Sequence, residues 1–157
     1  IIFQGSSAGG FAALHYSHEL PGSLAIAINP QTNISAYRAD KVAQYFNTCW
    51  DGQSPHPVQA VTDLLELYSD SFSNNVLFLQ NRGDQFHIEK HYLPWAARFE
   101  ALYAEKWCTL QGDWGVGHAA PPPELQELVL KFALSFNGDW SSLMKEEDFE
   151  DGFAFSE

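Results

Sequence analysis

The chain is short of positive charge. Eight Lys and Arg stand against twenty Asp and Glu, a formal net charge of −12 at pH 7. That balance excludes nucleic-acid binding through a basic face, because phosphate contacts draw their affinity from Lys and Arg. Cysteine is scarce as well: Cys49 and Cys108 are the only two, too few for a disulfide framework. Reduced core thiols are the expectation, which fits a reducing compartment and a cytoplasmic location. No apolar run approaches the ~20 residues of a membrane helix, so no membrane span is expected. There is no internal repeat and no visible signal peptide. The chain opens in an apolar stretch without Met, so its true N-terminus is expected upstream.

Apolar and aromatic residues are plentiful. Hydrophobic residues make up 45% and aromatics 15% of the 157 residues, enough to bury a core in a single domain. The acidic excess gathers at the end, where Asp139, Glu146, Glu147, Asp148, Glu150, Asp151 and Glu157 face Lys145 alone. Residues 137–157 therefore read as an acidic tail, loosely ordered or weakly docked.

The informative stretch is the start, Ile1-Ile2-Phe3-Gln4-Gly5-Ser6-Ser7-Ala8-Gly9-Gly10-Phe11. A short apolar strand runs into Gly-x-Ser-x-Gly and then into a small-residue helix start. A serine at such a corner sits on a strained backbone with its hydroxyl exposed at the sheet end. Gly5, Ala8, Gly9 and Gly10 are the small neighbours that let strand and helix approach. The helix N-terminus behind the corner offers free N–H groups to a developing anion, that of Ala8 first. The rival readings are a Gly/Ser turn without chemistry and a phosphate-cradling loop. No Lys follows to complete the latter.

Further along, Ser23–Asn29, Val76–Gln80 and Lys106–Leu110 read as strands, the continuous apolar runs among them suiting a parallel sheet covered on both faces. Helices are expected over Ala8–Leu20, Ile34–Trp50, Val58–Tyr68, His91–Ala104 and Glu124–Phe136. The helix from His91 presents Leu93, Ala96, Ala97, Phe99, Leu102 and Tyr103 as its apolar face. The fold class is α/β, a mainly parallel sheet with flanking helices. Residues 30–73 are longer than a simple crossover needs and read either as a cap over the site or as surface helices. Tyr37, Tyr45 and Trp50 within them are core aromatics or cleft lining. His15 and His18 read as exposed polar positions, and His56 as an exposed loop residue.

Three strand ends deliver Ser7, Asp84 and His118. Serine is a weak nucleophile that needs a base, and the base needs an acceptor to set its tautomer. Asp84 follows Gly83 just past the third strand; Asp51 and Asp113 are lesser candidates for the acid. His118 ends the Gly-rich loop before the last helix. A metal site of Asp84, His87 and His91 is the alternative use of that carboxylate, although the preferred arrangement needs no metal and no cofactor. Ser6, His87 and Asn29 are candidate substrate contacts, Asn29 because ligands of open α/β sheets bind beyond the strands' C-terminal ends.

The order Ser, Asp, His, carried by Gly5–Gly10, Gly83-Asp84 and Gly117-His118, resembles the C-terminal half of an α/β-hydrolase over residues 1–136. The stretch Gln80–His91 more loosely resembles hydrolase-like proteins of bacterial glycan-modification and accessory secretion systems. The resemblance implies a serine esterase or acyltransferase working through an acyl-enzyme on a small-molecule or glycan ester. It also implies that the strands before the elbow, and the loop donating the second oxyanion N–H, belong to an upstream half of the fold, without which the chain is expected to be inactive. The alternative is a non-catalytic hydrolase-like module that binds or assembles in a glycan or secretion complex.

Overall fold

The computed structural model describes residues 1–53, 55 and 60–146. Four strands, β1 (Ile2–Ser6), β2 (Leu24–Ile28), β3 (Asn75–Asn81) and β4 (Trp107–Gly112), form one sheet in the order β1-β2-β3-β4. All three pairings are parallel. The fold is α/β, as the alternation of apolar runs and helical stretches implies. Every residue of β2 and β3 is buried, because each has a strand on either side and helices on both faces. β1 is less covered than β2 and β3. It pairs only with β2 and stands at the sheet edge, so Ile2 and Phe3 are half-buried and Gln4 is exposed.

Side-chain alternation along the strands divides the core into two layers. Leu24, Ile26, Ile28, Leu77, Leu79 and Leu110 face α6 (Pro123–Ser135) and α7 (Trp140–Leu143). Ala25, Ala27, Val76 and Phe78 face the other layer, built from Leu14 of α1 (Ala8–His18), Tyr68 of α3 (Leu64–Asp70), and Trp95 and Phe99 of α5 (Leu93–Phe99). Small Ala side chains on the second face leave room for the large aromatics. The Tyr68 ring lies 4.8 Å from that of Trp95 and 4.7 Å from that of Phe72, and its hydroxyl donates to the Leu14 carbonyl at 2.9 Å.

Three elements depart from the sequence expectation. The helix expected over Ile34–Trp50 is a short 3₁₀ turn, Ile34–Ala36, and then α2 (Ala39–Cys49). None of the α2 residues is buried, and Cys49 is exposed there rather than held in the core. The helix expected over Val58–Tyr68 is seen as α3, starting at Leu64 behind an Asp63 N-cap; Val58 and His56 lie outside the described residues. The helix expected from His91 begins earlier, as α4 (Gln85–His87) and a π turn over Ile88–Tyr92 that leads into α5. The wider π turn rotates the phase of everything after it. Buried positions therefore fall at His87, His91, Trp95 and Phe99, while Leu93 and Leu102 point outward.

Past Asn137, the first residues pack. Trp140, Leu143 and Met144 are buried in the α6 layer, and the Trp140 indole donates to the Gly22 carbonyl at 2.9 Å. Residues 147–157 lie outside the described residues. Among the described residues no helix is long and apolar enough to cross a membrane.

Candidate active site

The site lies beyond the C-terminal ends of the strands, where four loops meet. Ser7 is the corner between β1 and α1, with φ 56° and ψ −119°. Positive φ is unfavourable for a residue with a Cβ and costs on the order of 1–3 kcal/mol. Hydrogen bonds hold it there. The Ser7 N–H donates to the Ile28 carbonyl at 2.9 Å, and its own carbonyl accepts from Phe11 and Gln31 at 3.1 and 3.2 Å. Glycine is needed on both sides of the corner: a Cβ on Gly5 would lie 2.1 Å from the Gly9 carbonyl oxygen, and one on Gly10 would lie 2.7 Å from the Pro30 side chain. Gly9 has open space around its missing Cβ, so steric need does not explain its small size. Ala8 is exposed at the first turn of α1, where backbone N–H groups have no intrahelical partner.

Asp84 and His118 meet. The His118 Nδ1 lies 2.5 Å from Asp84 Oδ2, and the carboxylate is buried while the imidazole is about one-third exposed, 34%. Asp84 also caps α4, its Oδ1 accepting from the His87 N–H at 3.2 Å. Burial works to raise the Asp84 carboxyl, but the hydrogen bonds from His118 and the His87 amide, with the adjacent His87 ring, outweigh it and hold it below its ordinary value. No hydrogen bond joins the Ser7 hydroxyl to the His118 ring in this structure. The two lesser acids stand elsewhere: Asp113 pairs with Arg82 at 3.6 Å on the surface, and Asp51 is exposed beyond α2.

The other candidate contacts are placed differently. His87 lies beneath His118, its ring stacked on it at 3.9 Å and 14°. It is almost fully buried, with Nδ1 2.9 Å from Asp84 Oδ2 but without hydrogen-bond alignment. Burial pushes its pKa down and Asp84 only partly offsets this. Asn29 is buried and spent on structure. Its amide donates to the Ala119 carbonyl at 2.8 Å, and its carbonyl accepts from the Asn81 N–H at 2.7 Å. Ser6 is exposed at the end of β1. His18 Nε2 donates to the Ser71 carbonyl at 3.0 Å, and the ring is half-buried against Tyr68 rather than exposed.

Asp84, His87 and His118 offer ligand atoms within 4.8 Å of one another. A metal ion bonds an imidazole nitrogen near the ring plane at about 2.0–2.1 Å. Two rings stacked nearly parallel share no such point, so this arrangement is not a metal cage. His91 is outside that group; its Nδ1 accepts from the Thr32 N–H at 3.2 Å.

Sequence reasoning missed Asn81, the last residue of β3. Its Nδ2 donates to the carbonyls of Gly115 and Gly117 at 2.9 and 2.8 Å, and its Oδ1 accepts from the N–H groups of Gly83 and Trp114 at 3.2 and 3.0 Å. This one amide ties the acid loop to the histidine loop. Gly83 allows the same approach, since a Cβ there would lie 2.2 Å from the Gly115 carbonyl oxygen. The available signal was a polar residue ending an apolar strand.

A cleft of about 470 Å³ opens beside Ser7, lined by Ala8, Phe11, Gln31, Ile34, Tyr37, Lys41, Val42 and Tyr45. Tyr37 and Tyr45 thus line it, while Trp50 does not. The segment carrying Tyr37 is anchored by backbone bonds from Ile34 to Thr62 and from Leu64 to Thr32, 2.9 and 2.8 Å. Asn33 reinforces it with a bond to Asp63 at 2.6 Å.

Comparison with protein-family models and with curated proteins finds no match for this chain.

Proposed function

We propose that this protein is a serine hydrolase of the α/β-hydrolase type acting on an ester. The observation that carries the reading is the Ser7 backbone: a strained, non-glycine corner at the sheet end where a histidine is already held by a buried carboxylate. Such strain persists only where the surroundings enforce it, and it clusters at reactive sites.

The chemistry follows from the roles. With Nδ1 engaged by Asp84, His118 presents Nε2 as the base. It takes the proton as Ser7 Oγ attacks the ester carbonyl. Negative charge on the carbonyl oxygen is met by the Ala8 N–H at the start of α1. Collapse expels the alcohol, which leaves with the proton from His118. Water then resolves the acyl-serine in an esterase, or a second alcohol such as a sugar resolves it in an acyltransferase. No cofactor takes part, the substrate is a small-molecule or glycan ester, and the setting is cytoplasmic. His87 supports His118 by stacking.

The test is labelling of the full-length protein with a fluorophosphonate. Ser7 takes the label and Ser7→Ala loses it. A folded protein that never labels ends the proposal. A second reading, a hydrolase-like module that only binds or assembles, is favoured by the missing hydrogen bond between Ser7 and His118. Such bonds are often long in unliganded enzymes and tighten when substrate binds.

A further inference from the structure

We infer that the cleft beside Ser7 holds the acyl half of the substrate, and that this acyl group is apolar and uncharged. The inference rests on the ester chemistry proposed for Ser7. The cleft's volume of about 470 Å³ falls in the range of small-molecule sites, which are mostly apolar with a few placed polar groups.

Its walls come from three elements: Phe11 of α1, Ile34 and Tyr37 of the loop after β2, and Val42 and Tyr45 of α2. α2 contributes no buried residue to either core layer. Its half-buried apolar side faces the cleft instead, which gives that helix a purpose the core does not.

Position separates acyl from alcohol. None of the residues lining the cleft belongs to the loop that carries His118. In acyl transfer the histidine passes its proton to the leaving alcohol, so the alcohol half must lie on the His118 side of Ser7. The cleft, walled by α1, α2 and the loop after β2 and not by the His118 loop, is what remains for the acyl group. Charge narrows the class. Lys41 is the one charged lining residue among the described residues, and its side chain is 58% exposed and 3.8 Å from the Asp40 carboxylate. It marks the rim, already partnered, and offers no buried cation to an acidic acyl chain.

The experiment compares methyl- and octyl-phosphonofluoridates on the full-length protein, with adduct formation at Ser7 followed by intact mass. Fluoride is the leaving group in both, so only the acyl-side chain differs. The octyl reagent should react about tenfold faster or more, the scale on which apolar pockets discriminate chain length. Val42→Glu should bring the two rates together, and Val42→Trp, which narrows the cleft without adding charge, should lower the ratio as well. Circular dichroism checks that both variants fold. Equal rates for the two chains in the wild type overturn the acyl assignment while leaving the Ser7 chemistry standing. A chain-length preference untouched by either Val42 variant overturns the location. No adduct with either reagent overturns the Ser7 reading and this one with it.

Discussion

At the residue scale, two side chains carry opposite burdens. Ser7 stores strain, and Asn81 relieves a crowd of loop carbonyls and amides. The φ of 56° at Ser7 is a conformation glycine adopts freely. Ser7→Gly should therefore raise stability by about 1 kcal/mol in urea unfolding while abolishing fluorophosphonate labelling. Ser7→Ala keeps the Cβ and should stay near wild type in stability, which separates strain from the loss of the hydroxyl. Asn81 makes four hydrogen bonds to the two loops that hold Asp84 and His118. At roughly 1 kcal/mol net apiece, Asn81→Ala should lose about 2–4 kcal/mol in the same unfolding assay. Labelling of Ser7 should slow as His118 loses its fixed position.

At the element scale, the turn from Asp84 to Phe99 decides how the molecule responds to acid. The π turn brings His87 and His91 inward on successive turns, beside Asp84, His118 and the Thr32 backbone. Burial first, and the neighbouring His87 second, push the His91 pKa from 6.5 down to about 4. His87 is pushed in the same direction. A depressed folded pKa means that the unfolded chain takes up the proton first as pH falls. Stability is therefore full above about pH 6.5 and is lost as pH drops through that value toward about 4. Asp84, also depressed, adds to the loss only at still lower pH. Urea midpoints should fall between pH 7 and pH 4.5 in the wild type. They should fall less in His91→Asn, whose side-chain oxygen replaces Nδ1 as acceptor for the Thr32 N–H. Equal falls in the two proteins would remove His91 from the account.

At the scale of the whole molecule, the sheet is a wall with two unequal coverings. The α1–α3–α5 layer is aromatic and tightly interlocked, while the other layer rests on α6 and the short α7. Trp140 closes that second layer, reaching back across 118 residues to the Gly22 carbonyl. Trp140→Ala should cost about 3–5 kcal/mol, the scale of large-to-small changes in a core, read as a lowered thermal midpoint. The loss should reach the whole fold and not only the last residues, because Leu24, Ile26 and Ile28 of β2 sit in the same layer. The substrate side is arranged separately: the strand ends hold the reacting groups and α2, outside both layers, walls the cleft.

The order of the chain by itself determined the fold class, because short apolar runs bounded by turn residues and alternating with helical stretches suit the strands of a parallel sheet covered on both sides. Gly-x-Ser-x-Gly between a strand and a helix likewise marked where the chain must turn sharply, since a side chain at Gly5 would run into the helix backbone at Gly9. Pairwise spacing along a sequence says nothing about side chains that meet across dozens of residues. The order of motifs paired Asp84 with His118, but folding alone decided that Asn81 and Asn29 brace the loops that carry them. Folding also decided which side of the helix after His91 turns inward, because a single wide turn resets the helical phase in a way no local propensity records.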